Sequence, residues 1–313
     1  CTLLAACSGD PAPPGGELDA ATEVDGPPAA HARVHVVLFT HVEDNTPQGT
    51  LGSAQSRQAY TTLRARLVET AQRFRARSLP WVLQPDWKLL EAARLYEDAA
   101  MIASTAGKNV FRYLHEDLGV VIDPHSHENG GYNYTDVAYL LDQLGVGGST
   151  VIGGHIWDPA LAQFQQWDRF RVAVAGEKYP SASWRGDLLI GAGTPNHVND
   201  PLVSGVWRPA DRDHYFDDDP DGNIVAVGAW HDGVAGVQEL VELHASGVVP
   251  ADQLLTASWN VTPLALADLA TVEATVLAPM AALRDAGDVV VGDFRALVDT
   301  WRAAGARAAL YRP

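Results

Sequence analysis

Apolar positions along this chain alternate between two spacings. Arg33-Val34-His35-Val36-Val37-Leu38-Phe39-Thr40 is an apolar, β-branched run that predicts a buried strand, and it breaks at His41-Val42-Glu43-Asp44-Asn45. Residues 56–77 change to helical spacing, with Tyr60, Leu63, Leu67, Ala71 and Phe74 three or four positions apart. Leu79-Pro80-Trp81-Val82-Leu83-Gln84 predicts a short second strand, and Asp86 is placed to cap a helix carrying Leu89, Leu90, Ala93 and Leu95. Residues 107–118 have a helical pattern that ends at Gly119, before the strand Val120-Val121-Ile122. A helix over 134–144 and the strand Val151-Ile152-Gly153-Gly154-His155 follow. Further strands are predicted at 188–190, 224–227 and 289–291, with helical patterns over 263–284 and through Trp301. This alternation predicts an α/β protein with βα units around a mostly parallel sheet or barrel. Residues 196–223 are long, polar and contain several prolines, which predicts a loop covering a site.

The chemistry falls at two predicted strand ends, where α/β folds place their sites. Val120-Val121-Ile122 runs into Asp123-Pro124-His125-Ser126-His127-Glu128. In extended backbone His125 and His127 share one face about 7 Å apart, so both imidazoles can close on one ion. The first strand ends in Glu43 and Asp44, which point to opposite faces if the backbone stays extended. Only one of them then ligates, and the other is free to act as a base. Carboxylate oxygen and imidazole nitrogen together suit a divalent transition metal such as zinc. His155 ends another strand and is a candidate acid for a leaving group; His41, His197, His231 and His244 are weaker ones.

Composition narrows the classes of partner. A formal charge of -17 argues against nucleic acid. Nine tryptophans are present, and indoles at the rim of a site stack on sugar rings; Trp87, Trp157 and Trp207 are the candidates for substrate binding. Both cysteines, Cys1 and Cys7, lie in the first seven residues, so residues 33–313 contain neither a disulfide nor a thiolate ligand. Asp217, Asp219, Asp221 and Gly222 follow the spacing of a calcium loop but lack its closing glutamate, since Gly228 stands there. A solvated acidic turn is the simpler account, with Ca2+ as the alternative.

Leu4-Ala5-Ala6-Cys7 resembles the end of a bacterial lipoprotein signal, with small residues before a cysteine. The resemblance implies a signal remnant over 1–6, acylation of Cys7 and attachment to a lipid bilayer at the outer membrane or cell surface. Residues 8–32, rich in proline, glycine and acids, then form a flexible tether, and 33–313 a single catalytic domain.

The order of motifs resembles the polysaccharide deacetylase (NodB-like) superfamily. Thr40-His41-Val42-Glu43-Asp44 looks like a variant, one residue longer, of that family's first motif, Thr-Phe-Asp-Asp. Gly119-Val120-Val121-Ile122-Asp123-Pro124-His125-Ser126-His127 is similar to its histidine motif, although the family's histidines are usually three residues apart. Trp207-Arg208-Pro209 and Val241-Glu242-Leu243-His244 are faint counterparts of its later motifs. The resemblance covers roughly residues 33–150. It implies a distorted (β/α) barrel and metal-dependent deacetylation of an extracytoplasmic glycan. By that resemblance Asp44, His125 and His127 hold one divalent metal, Glu43 is the base, and His155 the acid. His-x-His pairs also mark amidohydrolase-type and phosphoesterase-type metallohydrolases, usually on the first strand. A non-catalytic, lipid-anchored glycan-binding protein is the third alternative.

Overall fold

The structure, a computed structural model, describes residues 32–154, 164–190, 202–230 and 233–313. Cys7, the proposed tether, His155, Trp157, His197 and His231 lie outside the described residues. His31–Pro313 forms one compact unit.

The strands are β1 (Val34–Val42), β2 (Val82–Pro85), β3 (Val121–Ile122), β4 (Val151–Gly153), β5 (Val174–Ala175) and β6 (Ser183–Trp184). They continue as β7 (Leu188–Ile190), β8 (Val206–Trp207), β9 (Val225–Val227), β10 (Thr256–Asn260) and β11 (Val289–Gly292). One sheet runs β10-β1-β2-β3 and another β4-β7-β9-β8, with every pair parallel except β8 with β9. Two seams join them. His125 bridges Gly153 in parallel, with Gly153 N–H donating to Pro124 O at 3.1 Å. On the other side Ser258 N–H donates to Trp230 O at 2.8 Å, and Ser258 Oγ donates to Gly228 O at 3.0 Å. The parallel strands β1, β2, β3, β4, β7, β9 and β10 therefore close on themselves. This is the distorted α/β barrel that the periodicity and the resemblance led us to expect. The distortion is visible at β1, which pairs with β11 over Val34–Val37 and with β2 over Phe39–Val42.

Alternation along β1 sorts the core into two layers. Val34, Val36, Leu38 and Val42 face outward onto Tyr60, Leu63, Leu67, Ala71 and Phe74 of the helix Ala54–Ala76. Val37 and Phe39 face the barrel interior with Val82, Val151, Leu188, Ile190, Val225 and Val227. Phe294, Leu297, Val298 and Trp301 of the helix Phe294–Ala303 pack against this inner cluster. His41, next on the same face, continues the inner row: its ring lies 4.8 Å from that of Phe39.

Some expected elements differ in extent. The helical stretch over 263–284 is broken into Leu269–Val272, a π-turn at Glu273–Leu277, and Ala278–Ala286. The loop expected over 196–223 carries β8 and ends in an acidic turn, and its residues 196–201 are outside those described. In that turn Gly222 N–H donates to Asp219 O at 2.8 Å and Asp221 N–H to Asp219 Oδ1 at 3.0 Å. Asp218 is held by Arg208 at 2.6 Å.

Candidate metal centre

The C-terminal ends of β1 and β3 deliver four side chains to one place. Glu43 Oε2 lies 3.1 Å from His125 Nε2 and 3.2 Å from His127 Nδ1. The His41 ring stacks on that of His125 at 4.3 Å, and the rings of His125 and His127 meet edge-on at 4.8 Å. Ligand atoms of His41, Glu43 and His125 all fall within 4.8 Å of one another. Among the described residues this is the one such group that could hold an ion.

Local sequence explains the convergence. Pro124 has no N–H to give to β4, and only its carbonyl joins that seam, so β3 is short on this side. Asp123 and His125 still donate their N–H groups to Leu83 O and Pro85 O, at 3.0 and 3.3 Å, which keeps the segment on the barrel wall. Asp86 accepts from Trp87 N at 2.5 Å as the helix cap its position suggested, and from His127 N at 3.4 Å. It thereby ties the His127 backbone to the end of β2.

His125 is fully buried and its orientation is fixed. Its Nδ1 lies 3.2 Å from Gly153 O, which also accepts from Tyr134 Oη at 2.7 Å. A carbonyl only accepts, so Nδ1 carries the proton. A neutral ring then presents a bare lone pair at Nε2 toward a carboxylate oxygen 3.1 Å away. Two lone pairs at that distance repel unless a proton or a cation lies between them. Tetrahedral coordination with bonds of about 2.0–2.1 Å separates ligand atoms by about 3.3 Å, close to the two spacings observed. His41 adds a second indication, because its Nε2 is buried with no hydrogen-bond partner. The residues present therefore fit a divalent ion bound by imidazole nitrogen and carboxylate oxygen.

Charge and burial shape these groups. Burial works to raise the Glu43 pKa, but the hydrogen bond from His125 and the fields of His125, His127 and His41 pull it down to about 2. Burial opposes charge on His125, yet Glu43 outweighs it and the pKa is raised. His41 has its pKa pushed well below the ordinary value by burial and then by His125. Burial lifts Asp86 to about 7, and Asp123, deeper in the barrel, to about 6.

The grouping differs from the sequence expectation in several respects. Glu43, and not Asp44, is the carboxylate brought to the histidines; Asp44 is half-buried beside it, close enough for its charge to raise the Asp86 pKa. His41, a minor candidate in the sequence, joins the group because it shares the inner face with Val37 and Phe39. Trp207 is not a sugar platform. It is buried at 2% exposure, donates Nε1–H to Tyr215 O at 2.6 Å, and packs edge-on against Tyr215. Trp87, next to Asp86, has one face stacked on Tyr132 at 4.4 Å. Asp217, Asp219 and Asp221 form no ion-holding group among the described residues. His244 sits in the last turn of the helix Gly233–Ala245, outside the cluster.

Sequence reading missed Tyr134, Gln84 and the pair Gly153-Gly154. Gln84 is fully buried, and its amide oxygen would lie 2.6 Å from a Cβ at Gly153. At Gly154, with φ +79°, a Cβ would fall 2.2 Å from the His125 ring. Two successive glycines at a strand end were the available signal, since such a pair marks a close approach.

No family model matches the sequence, and no curated protein matches it significantly. Among solved structures the chain is similar to Puue allantoinase, at 11% identity and a TM-score of 0.47, covering 92% of this chain and 98% of that one. It is likewise similar to a probable polysaccharide deacetylase from Pseudomonas aeruginosa PAO1, at 11% identity and a TM-score of 0.48, covering 89% and 95%. These likenesses are remote, and the chemistry rests on the site's own geometry.

Proposed function

We propose that this protein is a metal-dependent hydrolase that removes acyl groups from a carbohydrate. The observation that carries the reading is the His41–Glu43–His125 group, with His127 at its edge, at the C-terminal ends of parallel barrel strands. His41, Glu43, His125 and His127 would hold one divalent ion of the zinc type. Such an ion supplies Lewis-acid polarisation of a carbonyl and acidification of water.

The chain's own residues supply orientation and proton transfer. Glu43 is committed to the imidazoles, which assigns the base role to Asp44, the other member of the acid pair. Asp44 takes the proton that an attacking water loses. Asp86 holds the His127 loop in place. Trp87, the first residue of the helix that follows β2, is the candidate contact for the sugar. The choice of an acylated glycan over other hydrolysable substrates is supported by the motif resemblance of residues 40–44 and 119–127 to polysaccharide deacetylases.

The test is metal content and acetate release measured on one preparation. Stoichiometric zinc with acetate released from an acetylated glycan is the expected result. Bound metal without hydrolysis of any acetylated oligosaccharide would overturn the substrate assignment, and a protein that takes up no divalent ion would overturn the whole reading.

A further inference from the structure

Tyr134 is invisible in any motif, yet it is buried beside the candidate centre and donates to the carbonyl that fixes His125. The links are short: Tyr134 Oη to Gly153 O is 2.7 Å and His125 Nδ1 to Gly153 O is 3.2 Å. That carbonyl belongs to a peptide followed by Gly154 at φ +79°, and two glycines in succession leave the peptide plane little intrinsic preference. Rotation of the Gly153–Gly154 peptide would remove the acceptor from His125 Nδ1. The ring would then be free to carry its proton on Nε2, where it blocks ligation.

Tyr134 is itself well anchored. It opens the helix Tyr134–Gln143, whose cap is reciprocal: Asn133 Oδ1 accepts from Asp136 N at 3.1 Å and Asp136 Oδ2 from Asn133 N at 2.9 Å. Asp136 also accepts from the backbone N–H groups of Glu177, Lys178 and Tyr179, which ties the helix start to a neighbouring loop. The phenol ring is held edge-on by Phe170 at 5.4 Å. The hydroxyl therefore has a fixed place from which to hold the carbonyl.

We infer that Tyr134 is a positioning residue for the metal centre, locking the Gly153 carbonyl so that His125 is kept as its Nδ1–H tautomer with Nε2 free to ligate. The inference rests on the metal reading of the site, but its structural half stands apart from activity.

The experiment uses the full chain, stripped of metal and reloaded with Zn2+. Tyr134→Phe keeps the ring and deletes the hydroxyl. It is expected to lower zinc affinity, read by competition with a chromophoric chelator, by about 10–100-fold, with unchanged far-ultraviolet circular dichroism. In the zinc-loaded protein the His125 Nδ1–H, read from its side-chain 1H–15N resonance, is expected to be hydrogen-bonded and slow to exchange with solvent in the wild type and to exchange faster in Tyr134→Phe. A folded Tyr134→Phe protein with wild-type zinc affinity and wild-type Nδ1–H exchange would overturn the inference. So would a zinc-loaded wild type with no protected Nδ1–H at His125, which needs no variant at all. A wild type that binds no zinc would overturn the proposed function and the inference with it, whereas zinc bound without hydrolysis of an acetylated glycan would overturn the substrate assignment alone and leave the positioning role standing.

Discussion

Glu43 and His125 are 82 residues apart in the chain, yet Oε2 and Nε2 meet at 3.1 Å. The contact joins the ends of two strands that are not neighbours in the sheet, since β2 lies between β1 and β3. It makes Glu43 the carboxylate of the candidate metal group, and it sets apart two adjacent carboxylates that the sequence alone left interchangeable.

That separation is directly measurable. Glu43→Gln should lose most of the bound zinc, because it removes the anionic ligand from among three imidazoles. Asp44→Asn should retain stoichiometric zinc while kcat falls about 100-fold or more, the loss expected when a general base is removed. Elemental analysis beside steady-state kinetics checks both. Metal retained in Glu43→Gln but lost in Asp44→Asn would restore the roles implied by the family resemblance.

Gly154→Ala should damage the centre without touching a ligand. The new Cβ would fall 2.2 Å from the His125 ring, on backbone at φ +79°. The backbone conformation alone costs about 1–3 kcal/mol, and displacement of the ring should lower zinc affinity at least about tenfold. Thermal melting with and without zinc separates the two effects; an equal melting temperature and equal zinc affinity would refute the close approach.

Asp123 gives a pH-dependent prediction. It is buried, accepts from Ser149 Oγ at 2.6 Å, and burial raises its pKa from 3.8 to about 6. Because the folded value lies above the unfolded one, the associated stability is fully present below about pH 4 and is lost as pH rises through about 6. Asp123→Asn keeps the acceptor for Ser149 and cannot ionise. Its stability relative to wild type should be near equal at pH 4 and greater by about 3 kcal/mol at pH 8. Denaturant midpoints at the two pH values provide the check, and an advantage independent of pH would contradict the assignment.

The two tryptophans should part company. Trp207→Ala opens a cavity among Tyr215, Phe216 and neighbouring core residues and should cost about 3–5 kcal/mol of stability. Trp87→Ala should instead be tolerated better in melting and should raise KM for a glycan substrate. The reverse pattern would mean that Trp207, not Trp87, meets the sugar.

The alternation of elements and the places where chemistry could occur were legible in the chain. β-branched runs at 33–40 and 120–122, each ending in acid or histidine, announced the site because period-two burial and strand-end polarity are local properties of the chain. Asp86 was legible as a cap for the same reason: its partner is the next residue. The broken helix at 273–277 was not legible, since a π-turn keeps the same apolar spacing to within one residue. The membership of the site depends on facing directions across strands, which exist only once the sheet has closed. Whether Glu43 or Asp44 meets the histidines turns on how the chain leaves β1 once Thr40 Oγ1 and Trp81 Nε1 have been paired inside the fold. His41 became part of the group because the barrel closes and makes the Phe39 face an interior, which no window of sequence reveals. Trp207 read as a rim residue because it lies in a polar stretch, yet strand pairing of β8 with β9 turns it inward. Local pattern fixes which residues alternate; the closure of the barrel fixes which side of that alternation is the site.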